Sequence, residues 1–180
     1  MSFSNEVRQE IYSTINDNDK KFACLYGMLI YCKSISRENI TLQTESSVTA
    51  RLFNELVKSV FKDKIHISVH ESVKKNDNKL YTCTITDKNE IDIVLKRYFI
   101  DVENRFINQE IVVNNSLGVF TAGVFLSCGS VNDPSKEYHL EFAAPCRRLA
   151  EELQLILLDI SVNAKIFVRK NMYVVYIKES

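Results

Sequence analysis

Apolar residues recur at helical spacing in several segments of the first half of the chain and alternate with polar residues in others. The helical spacing predicts a short helix that Ser4 caps, with Val7 and Ile11 on one face. It also predicts a helix over 20–34 that is apolar nearly all round and should therefore be central and buried. The pattern then predicts strands and helices in this order: strand 40–44, helix 46–62, strand 64–70, hairpin loop 74–78, strand 80–86 and helix 89–99.

The second half of the chain repeats this order of elements. A buried helix is predicted over 117–128, and the elements after it are strand 138–142, helix 145–158, strand 164–169, a turn at 170–171 and strand 172–178. Residues 33–36 and 130–132 leave room for an early strand beside the first helix of each copy. Similar residues recur 92 to 99 positions apart: Gly27 with Gly123, Leu42 with Leu140, Leu56 with Leu153, Val69 with Val168, Tyr81 with Tyr173, and Ile85 with Ile177.

This duplication predicts an α+β fold of two repeats related by a pseudo-twofold axis, with packed central helices and antiparallel sheets. Each repeat has the order αββαββ, and a further helix closes the first one. We assign residues 1–18 to an N-terminal helical extension, 19–105 to the first repeat and 106–180 to the second.

Glycines occupy matching places inside the two predicted central helices. Gly27 and Gly123 each cost about 1 kcal/mol of helix stability relative to alanine, so their presence needs a reason. The simplest reason is that the two helices cross at these residues with their backbones very close. The alternative is that each helix merely tolerates its glycine.

Composition and charge restrict the classes of protein that fit. The chain of 180 residues suffices for one sizeable domain, and 23 basic residues balance 23 acidic ones. Neutrality argues against strong binding of duplex DNA by this domain alone. Five cysteines, an odd number without a CxxC pair, fit reduced thiols in a cytoplasmic protein better than a disulfide scaffold or a closed zinc site. We find no signal segment and no apolar run of membrane-spanning length.

Two segments in the central helices make the chain recognisable. Residues 25–33 read LYGMLIYCK and residues 121–129 read TAGVFLSCG, and both resemble the LAGLIDADG motifs of homing endonucleases. The stretch GVFLSCGSVNDP (123–134), followed by YHLE (138–141), resembles the signature of the WhiA family of bacterial regulators of sporulation and cell division. Residues 1–7, 163–166 and 173–179 also resemble that family. The resemblance implies that the two repeats are LAGLIDADG-like.

The WhiA resemblance also implies a two-part protein, in which a C-terminal helix-turn-helix domain does much of the DNA binding. No helix-turn-helix pattern precedes Ser180, so we interpret the sequence as a truncated form or an unusual short member. The expected partners are DNA, bound weakly by this domain alone, and another transcription regulator or RNA polymerase. We expect a cytoplasmic, nucleoid-associated protein with no membrane partner.

The same resemblance predicts that the chain does not cut DNA. Active enzymes of this fold place a carboxylate near the C-terminal end of each central helix to hold Mg²⁺, and the alignment puts Cys32 and Cys128 at these places. Thiols are poor Mg²⁺ ligands, and Lys33 adds a positive charge beside Cys32. We therefore predict no catalytic residue, no metal and no cofactor. The two cysteines either form a soft-metal or redox pair or, as we favour, simply fill space. Asp133 either replaces a missing ligand or, as we favour, begins a turn before Pro134.

The resemblance implies that the polar sheet face is where the fold meets DNA. Basic and amide side chains on a sheet can contact phosphates and base edges. Glu45 and Glu141 would share this face and weaken it, and an ordinary wet sheet surface is the alternative. His66 and His70 lie four apart, as zinc ligands on a helix do, but a solvated strand face is the better interpretation because no third ligand is near. The candidate DNA-binding residues are Arg37, Gln43, His66, His70, Lys136, His139, Lys165 and Arg169.

Three functions follow from these observations. The leading hypothesis is a non-catalytic domain of a WhiA-type transcriptional regulator that supports DNA binding together with a helix-turn-helix domain. The first alternative is a metal-dependent DNA endonuclease of the homing type. The second is a pure interaction module whose sheet binds protein.

Overall fold

Each half of the chain folds into a central helix, a four-stranded antiparallel sheet and a helix that packs on this sheet. The structure, a computed structural model, describes residues 2–112 and 116–178. The first half contains α1 (Phe3–Thr14), α2 (Asn18–Ile30), β1 (Ser34–Ile35), β2 (Ile40–Thr44), α3 (Ser47–Val60), β3 (Ser68–Val73), β4 (Lys79–Ile85) and α4 (Lys88–Arg97). The second contains α5 (Gln109–Val112), α6 (Leu117–Cys128), β5 (Gly129–Val131), β6 (His139–Ala144), α7 (Arg147–Asp159), β7 (Lys165–Arg169) and β8 (Met172–Lys178).

The two sheets have the same strand order. The first is β1-β2-β4-β3 and the second is β5-β6-β8-β7, with every neighbouring pair antiparallel. The predicted α+β fold of two similar repeats is therefore confirmed. The early strands are β1 and β5, which lie within the segments left open for them. No helix among the described residues is both long and apolar enough to cross a membrane.

Strand register corrects the predicted correspondence between the repeats. Leu42 pairs with Cys83 in the first sheet and Phe142 pairs with Val175 in the second, so Leu42 corresponds to Phe142 and not to Leu140. The cause is the connection between the first two strands of each sheet. Ile35 pairs with Ile40, whereas Val131 pairs with Leu140, which makes the second connection four residues longer.

The sequence separation between corresponding residues also differs from the predicted one in the helices that pack on the sheets, and it decreases again in the hairpins. The buried positions of α3 match those of α7 at a separation of 100, so Leu56 corresponds to Ile156 and not to Leu153. Val69 corresponds to Ile166 and not to Val168, because each pairs with the matching residue of the next strand. The match of Tyr81 with Tyr173 is confirmed, because Tyr81 pairs with Thr44 and Tyr173 with Ala144, the last residues of β2 and β6.

Helices α2 and α6 cross at the two glycines. A Cβ atom on Gly27 would lie 2.3 Å from the carbonyl oxygen of Phe120, and a Cβ on Gly123 would lie 2.1 Å from that of Cys24. The two contacts are equivalent under the pseudo-twofold relation, since Cys24 and Phe120 are 96 residues apart, as the glycines are. All residues of α2 from Ala23 to Ile30 are buried, as its apolar circumference predicts.

Helices α3 and α7 cover one face of each sheet and leave the other face open. Ile40, Leu42 and Thr44 of β2 are buried, while the alternate residues Thr41 and Gln43 are partly exposed. We call the uncovered sides the first and second open faces. The strand register assigns Thr41, Gln43, Thr82, Thr84, Ser68 and His70 to the first open face. It assigns Ser130, His139, Glu141, Lys165, Phe167, Arg169 and Tyr176 to the second.

Helix α1 bridges the two repeats. The hydroxyl of Ser4 donates to the carbonyl oxygen of Val131 and accepts the amide N–H of the same residue, both at 2.8 Å, so it satisfies the free edge of β5. On its other side, the hydroxyl of Tyr12 donates to Glu55 of α3. The prediction that Ser4 caps this helix is wrong, because the hydroxyl of Ser2 accepts the Asn5 amide instead.

Candidate nucleic-acid interface

A row of polar side chains crosses the first open face. Gln43 donates from Nε2 to Oγ1 of Thr82 at 3.3 Å, and Thr82 stands opposite His70 in the ladder. Lys33, which follows α2, donates from Nζ to Oε1 of Gln43 at 2.5 Å. Two of the predicted DNA-binding residues, Gln43 and His70, therefore lie on one face together with an exposed lysine that was not among the candidates.

The second open face holds an ionic and aromatic cluster. Glu141 accepts from Nη2 of Arg169 at 2.7 Å, and Nε2 of His139 lies 3.0 Å from its other oxygen. The hydrogen bond from Arg169 is the largest cause that lowers the pKa of Glu141, whose side chain is only 16% exposed. The Tyr176 ring stacks on that of His139 and meets Phe167 edge-on, with centroids 6.0 and 5.2 Å apart. The cluster is therefore pre-ordered, and its acid already neutralises one of its cations.

Lys165 lies on the same face but outside the cluster. It stands opposite Tyr176 in the ladder and is exposed. Within the described chain its ammonium group has no ion-pair partner, so it is available to an anion.

The remaining cationic candidates lie at the ends of the sheets. Arg37 is in the bend between β1 and β2, where it borders a shallow cleft beside Lys88 at the start of α4. Lys136 is in the connection between β5 and β6, and its amide donates to the carbonyl oxygen of Asp133. The Asp133 carboxylate accepts the amide and hydroxyl of Ser135 at 2.9 and 2.7 Å, and these bonds lower its pKa. This geometry is that of a turn.

The prediction that His66 lies on a strand face is wrong. Strand β3 begins only at Ser68, because Asp87 accepts the amides of Asn89 and Glu90 and turns the chain from β4 into α4. Glu90 then accepts the backbone amide of His66 at 2.8 Å and contacts its Nδ1 at 2.5 Å. His66 is thus directed toward helix α4 and away from the first open face.

The thiols of the buried Cys32 and the partly buried Cys128 lie where the central helices end. The Sγ atom of Cys32 contacts the carbonyl oxygen of Ser34 at 3.2 Å, and that of Cys128 contacts the carbonyl oxygen of Val124 at 3.4 Å. Burial raises the pKa of Cys32 to about 11 and that of Cys128 to about 12, so both thiols are protonated at neutral pH. Because the thiolate is the species that binds metals, a metal ion at either thiol would first have to displace its proton.

A guanidinium group adds positive charge at the C-terminal end of α2, beside Cys32. Arg105 donates from Nη1 to the carbonyl oxygens of Cys32 and Ile30 at 2.7 and 3.3 Å, and so closes the C-terminal end of α2. In the described part of the chain, no three His, Cys, Asp or Glu side chains are grouped so that they could hold a metal ion.

Two αββαββ repeats whose central helices cross at close range define the LAGLIDADG-like fold. Family models agree: residues 27–101 match the WhiA N-terminal LAGLIDADG-like domain and residues 117–180 match the WhiA LAGLIDADG-like domain. The chain therefore belongs to the WhiA family.

Individual relatives support this assignment. The chain is 29% identical over 192 residues to a probable cell division protein WhiA of Lachnoclostridium phytofermentans, covering 99% of this chain and 61% of the relative. It thus spans about three fifths of the length of the curated relatives that it matches.

Solved structures share the fold. The N-terminal LAGLIDADG domain of DUF199/WhiA superposes with a TM-score of 0.75 at 21% identity, over 99% of this chain and 84% of that one. The homing endonuclease I-WcaI, bound to its DNA recognition sequence, superposes with a TM-score of 0.53 at 18% identity, over 94% of this chain and 80% of that one.

Proposed function

We propose that this chain is the non-catalytic LAGLIDADG-like part of a WhiA-type transcriptional regulator of sporulation and cell division, and that it contacts DNA weakly through its two open faces. In the whole protein, a helix-turn-helix domain would supply most of the affinity for DNA. The protein would act on the bacterial nucleoid, where another transcription regulator or RNA polymerase is its expected protein partner.

The arrangement of the open faces is the observation that carries this proposal. Gln43 and His70 on one face, and His139, Lys165 and Arg169 on the other, can donate hydrogen bonds to phosphates and base edges. I-WcaI shares this fold and is bound to DNA. Because the formal net charge is zero and Glu141 neutralises Arg169, we expect low affinity from this part alone.

The ends of the central helices support the absence of cleavage. Metal-assisted hydrolysis needs oxygen ligands near the scissile phosphate. Protonated thiols of Cys32 and Cys128 and the Arg105 guanidinium lie there instead. A metal-dependent endonuclease therefore remains the less favoured function.

Plasmid cleavage separates these two functions. Supercoiled DNA incubated with the chain and Mg²⁺ or Mn²⁺ should stay supercoiled, while an active homing endonuclease cuts its own target in parallel. Cutting by this chain that EDTA abolishes would overturn the non-catalytic assignment.

DNA binding is tested by fluorescence anisotropy at several salt concentrations. Phosphate contacts predict an affinity that falls steeply as salt rises, and it should weaken further in Lys165→Gln. Arg147→Gln is the matched control, because Arg147 is an exposed cation on α7, away from the open faces. No binding at low salt would favour a module that binds protein.

A further inference from the structure

An open polar cleft of about 640 Å³ lies between the two repeats, next to helix α1. Its walls come from the start of α1, the junction of β2 with α3, the start of β4, and the junction of α6 with β5. Gln43 of the first open face and Ser130 of the second both border it. The cleft therefore connects the two open faces.

Arg8 places a partly buried positive charge in this cleft, and burial lowers the pKa of its guanidinium although the nearby Glu45 carboxylate partly offsets the effect. Its Nη2 donates to the carbonyl oxygen of Gly129 at 2.7 Å, and its guanidinium lies over the ring of Phe125, 5.2 Å from the centroid. Its Nε is buried and has no hydrogen-bond partner in the described chain. Among residues 2–112 and 116–178, no carboxylate lies within ion-pair distance of this guanidinium. A partly buried arginine without a direct ion pair is costly, and the attraction of Glu45 does not outweigh the burial, so the geometry of this cleft favours an additional anion.

Two helix starts border the same cleft. Ser4 in the first turn of α1 and Ser47 in the first turn of α3 both line it. Neither amide N–H of these two residues has a partner in the part of the chain that the structure describes. Free amides and the positive end of the helix dipole favour an anion at such a position.

The acidic residue that lines the cleft, Glu45, already binds two side chains at its carboxylate. The Glu45 carboxylate is bound by Nζ of Lys74, and its second oxygen accepts from Nδ2 of Asn78 at 3.2 Å. Lys79, which also borders the cleft, is paired with Glu71 at 2.9 Å. Of the two cations that line the cleft, Arg8 is therefore the one without a direct ion pair in the described chain.

We propose that this cleft binds a phosphate group, held by the Arg8 guanidinium and by the amides that begin α1 and α3. A guanidinium fork and free backbone N–H groups that line one cleft are donors suited to phosphate oxygens. The phosphate comes either from the backbone of DNA that spans the two open faces or from a small phosphorylated ligand. The site does not depend on DNA binding by the open faces, so the two proposals can fail separately.

Titration of the chain with inorganic phosphate, followed by ¹H–¹⁵N NMR, tests the site directly. We expect saturable shifts of the Arg8 Nε–H signal and of the Ser4 and Ser47 amides, with chloride at equal ionic strength as the control. The Arg51 Nε–H signal should not move, because Arg51 stacks on Tyr12 outside the cleft. If these three signals stay unchanged on the native protein, or move no more than that of Arg51, the site does not exist.

Substitution of Arg8 gives an independent test. Arg8→Gln should weaken phosphate binding at least about tenfold, as expected for the loss of a charge-assisted interaction, whereas Arg51→Gln should leave it unchanged. Unaltered affinity in a folded Arg8→Gln variant would overturn the proposal.

Short duplex DNA then separates the two sources. Shifts of the Arg8 Nε–H signal with DNA, and competition between DNA and phosphate, identify a backbone phosphate. Phosphate binding without a response of Arg8 to DNA identifies a small phosphorylated ligand.

Discussion

Gly27 and Gly123 face each other at the crossing of α2 and α6, and each lies where a Cβ atom would overlap a backbone carbonyl oxygen of the other helix. The contact is symmetric, so the two repeats share one packing geometry at the centre of the molecule. It explains why both helices keep a residue that lowers their intrinsic stability.

Alanine at either glycine should therefore destabilise the fold strongly. The obstructing atoms are backbone oxygens at 2.3 Å for Gly27 and 2.1 Å for Gly123, so relief requires that the helices separate. We expect Gly27→Ala or Gly123→Ala to lower the free energy of unfolding by about 3 kcal/mol, measured by urea denaturation. Gly118→Ala is the matched control, since nothing lies within 4 Å of its Cβ position on α6, and it should be neutral or stabilise by up to about 1 kcal/mol. Equal effects at all three sites would contradict the close crossing.

Ser4 should matter more than its place near the N-terminus indicates. Its hydroxyl satisfies both the N–H and the C=O of Val131 at the edge of β5, so Ser4→Ala leaves two strand-edge groups unpaired. We expect a loss of about 1–3 kcal/mol in thermal or urea unfolding. Ser13→Ala, in the same helix, should cost little because Ser13 is exposed and bonds only to Glu10. A Ser4 effect no larger than the Ser13 effect would show that α1 does not hold the second repeat.

Much of the fold is predictable from the sequence because most elements depend on local signals. The bounds of α6 and β8 agree with their apolar patterns. The misplaced elements depend on distant partners. Strand β3 starts late because Asp87 turns the chain that would have paired with it, and Ser4 is not a cap because Val131 binds its hydroxyl.

The residues of the candidate interface can be predicted from the sequence to the same degree. Alternation along strands assigns Gln43, His139 and Lys165 to the open faces, but it misplaces His66, whose partner Glu90 lies 24 residues away. Arg8 gives no signal in the sequence beyond its position between Val7 and Ile11, because its cleft forms only when both repeats meet.

The pair of His66 and Glu90 predicts a pH-dependent stability. The hydrogen bond and charge of Glu90 raise the pKa of His66 in the folded chain, so folding favours the protonated ring. The stabilisation is fully present below the unfolded pKa of about 6.5 and is lost as pH rises through the raised folded pKa. The urea midpoint should therefore fall over this window.

Glu90→Gln is the control for this pH dependence, because it keeps an acceptor for the His66 amide but removes the charge. It should flatten that part of the profile, and NMR should show a lower pKa for the His66 ring than in the native chain. An unchanged profile in Glu90→Gln would assign the pH dependence to other groups.

Removal of the acid on the second open face should strengthen DNA binding. Glu141→Gln frees Arg169 and removes a negative charge beside His139. We expect roughly two- to fivefold tighter binding at low salt, with the salt dependence steeper by about one counterion. Glu151→Gln changes the net charge equally but lies on α7, where Glu151 pairs with Arg147, and should have a smaller effect. Identical gains in both variants would point to net charge and not to the face.

A map of DNA contacts by ¹H–¹⁵N NMR tests the central claim most directly. Duplex DNA added at low salt should shift the amide signals of residues on the open faces, namely Gln43, His70, His139, Lys165 and Arg169. The signals of Arg51 and Lys58 on the outer side of α3 should stay in place. Shifts confined to α3 and α7, or no shift at the open faces when binding is saturated, would contradict the account.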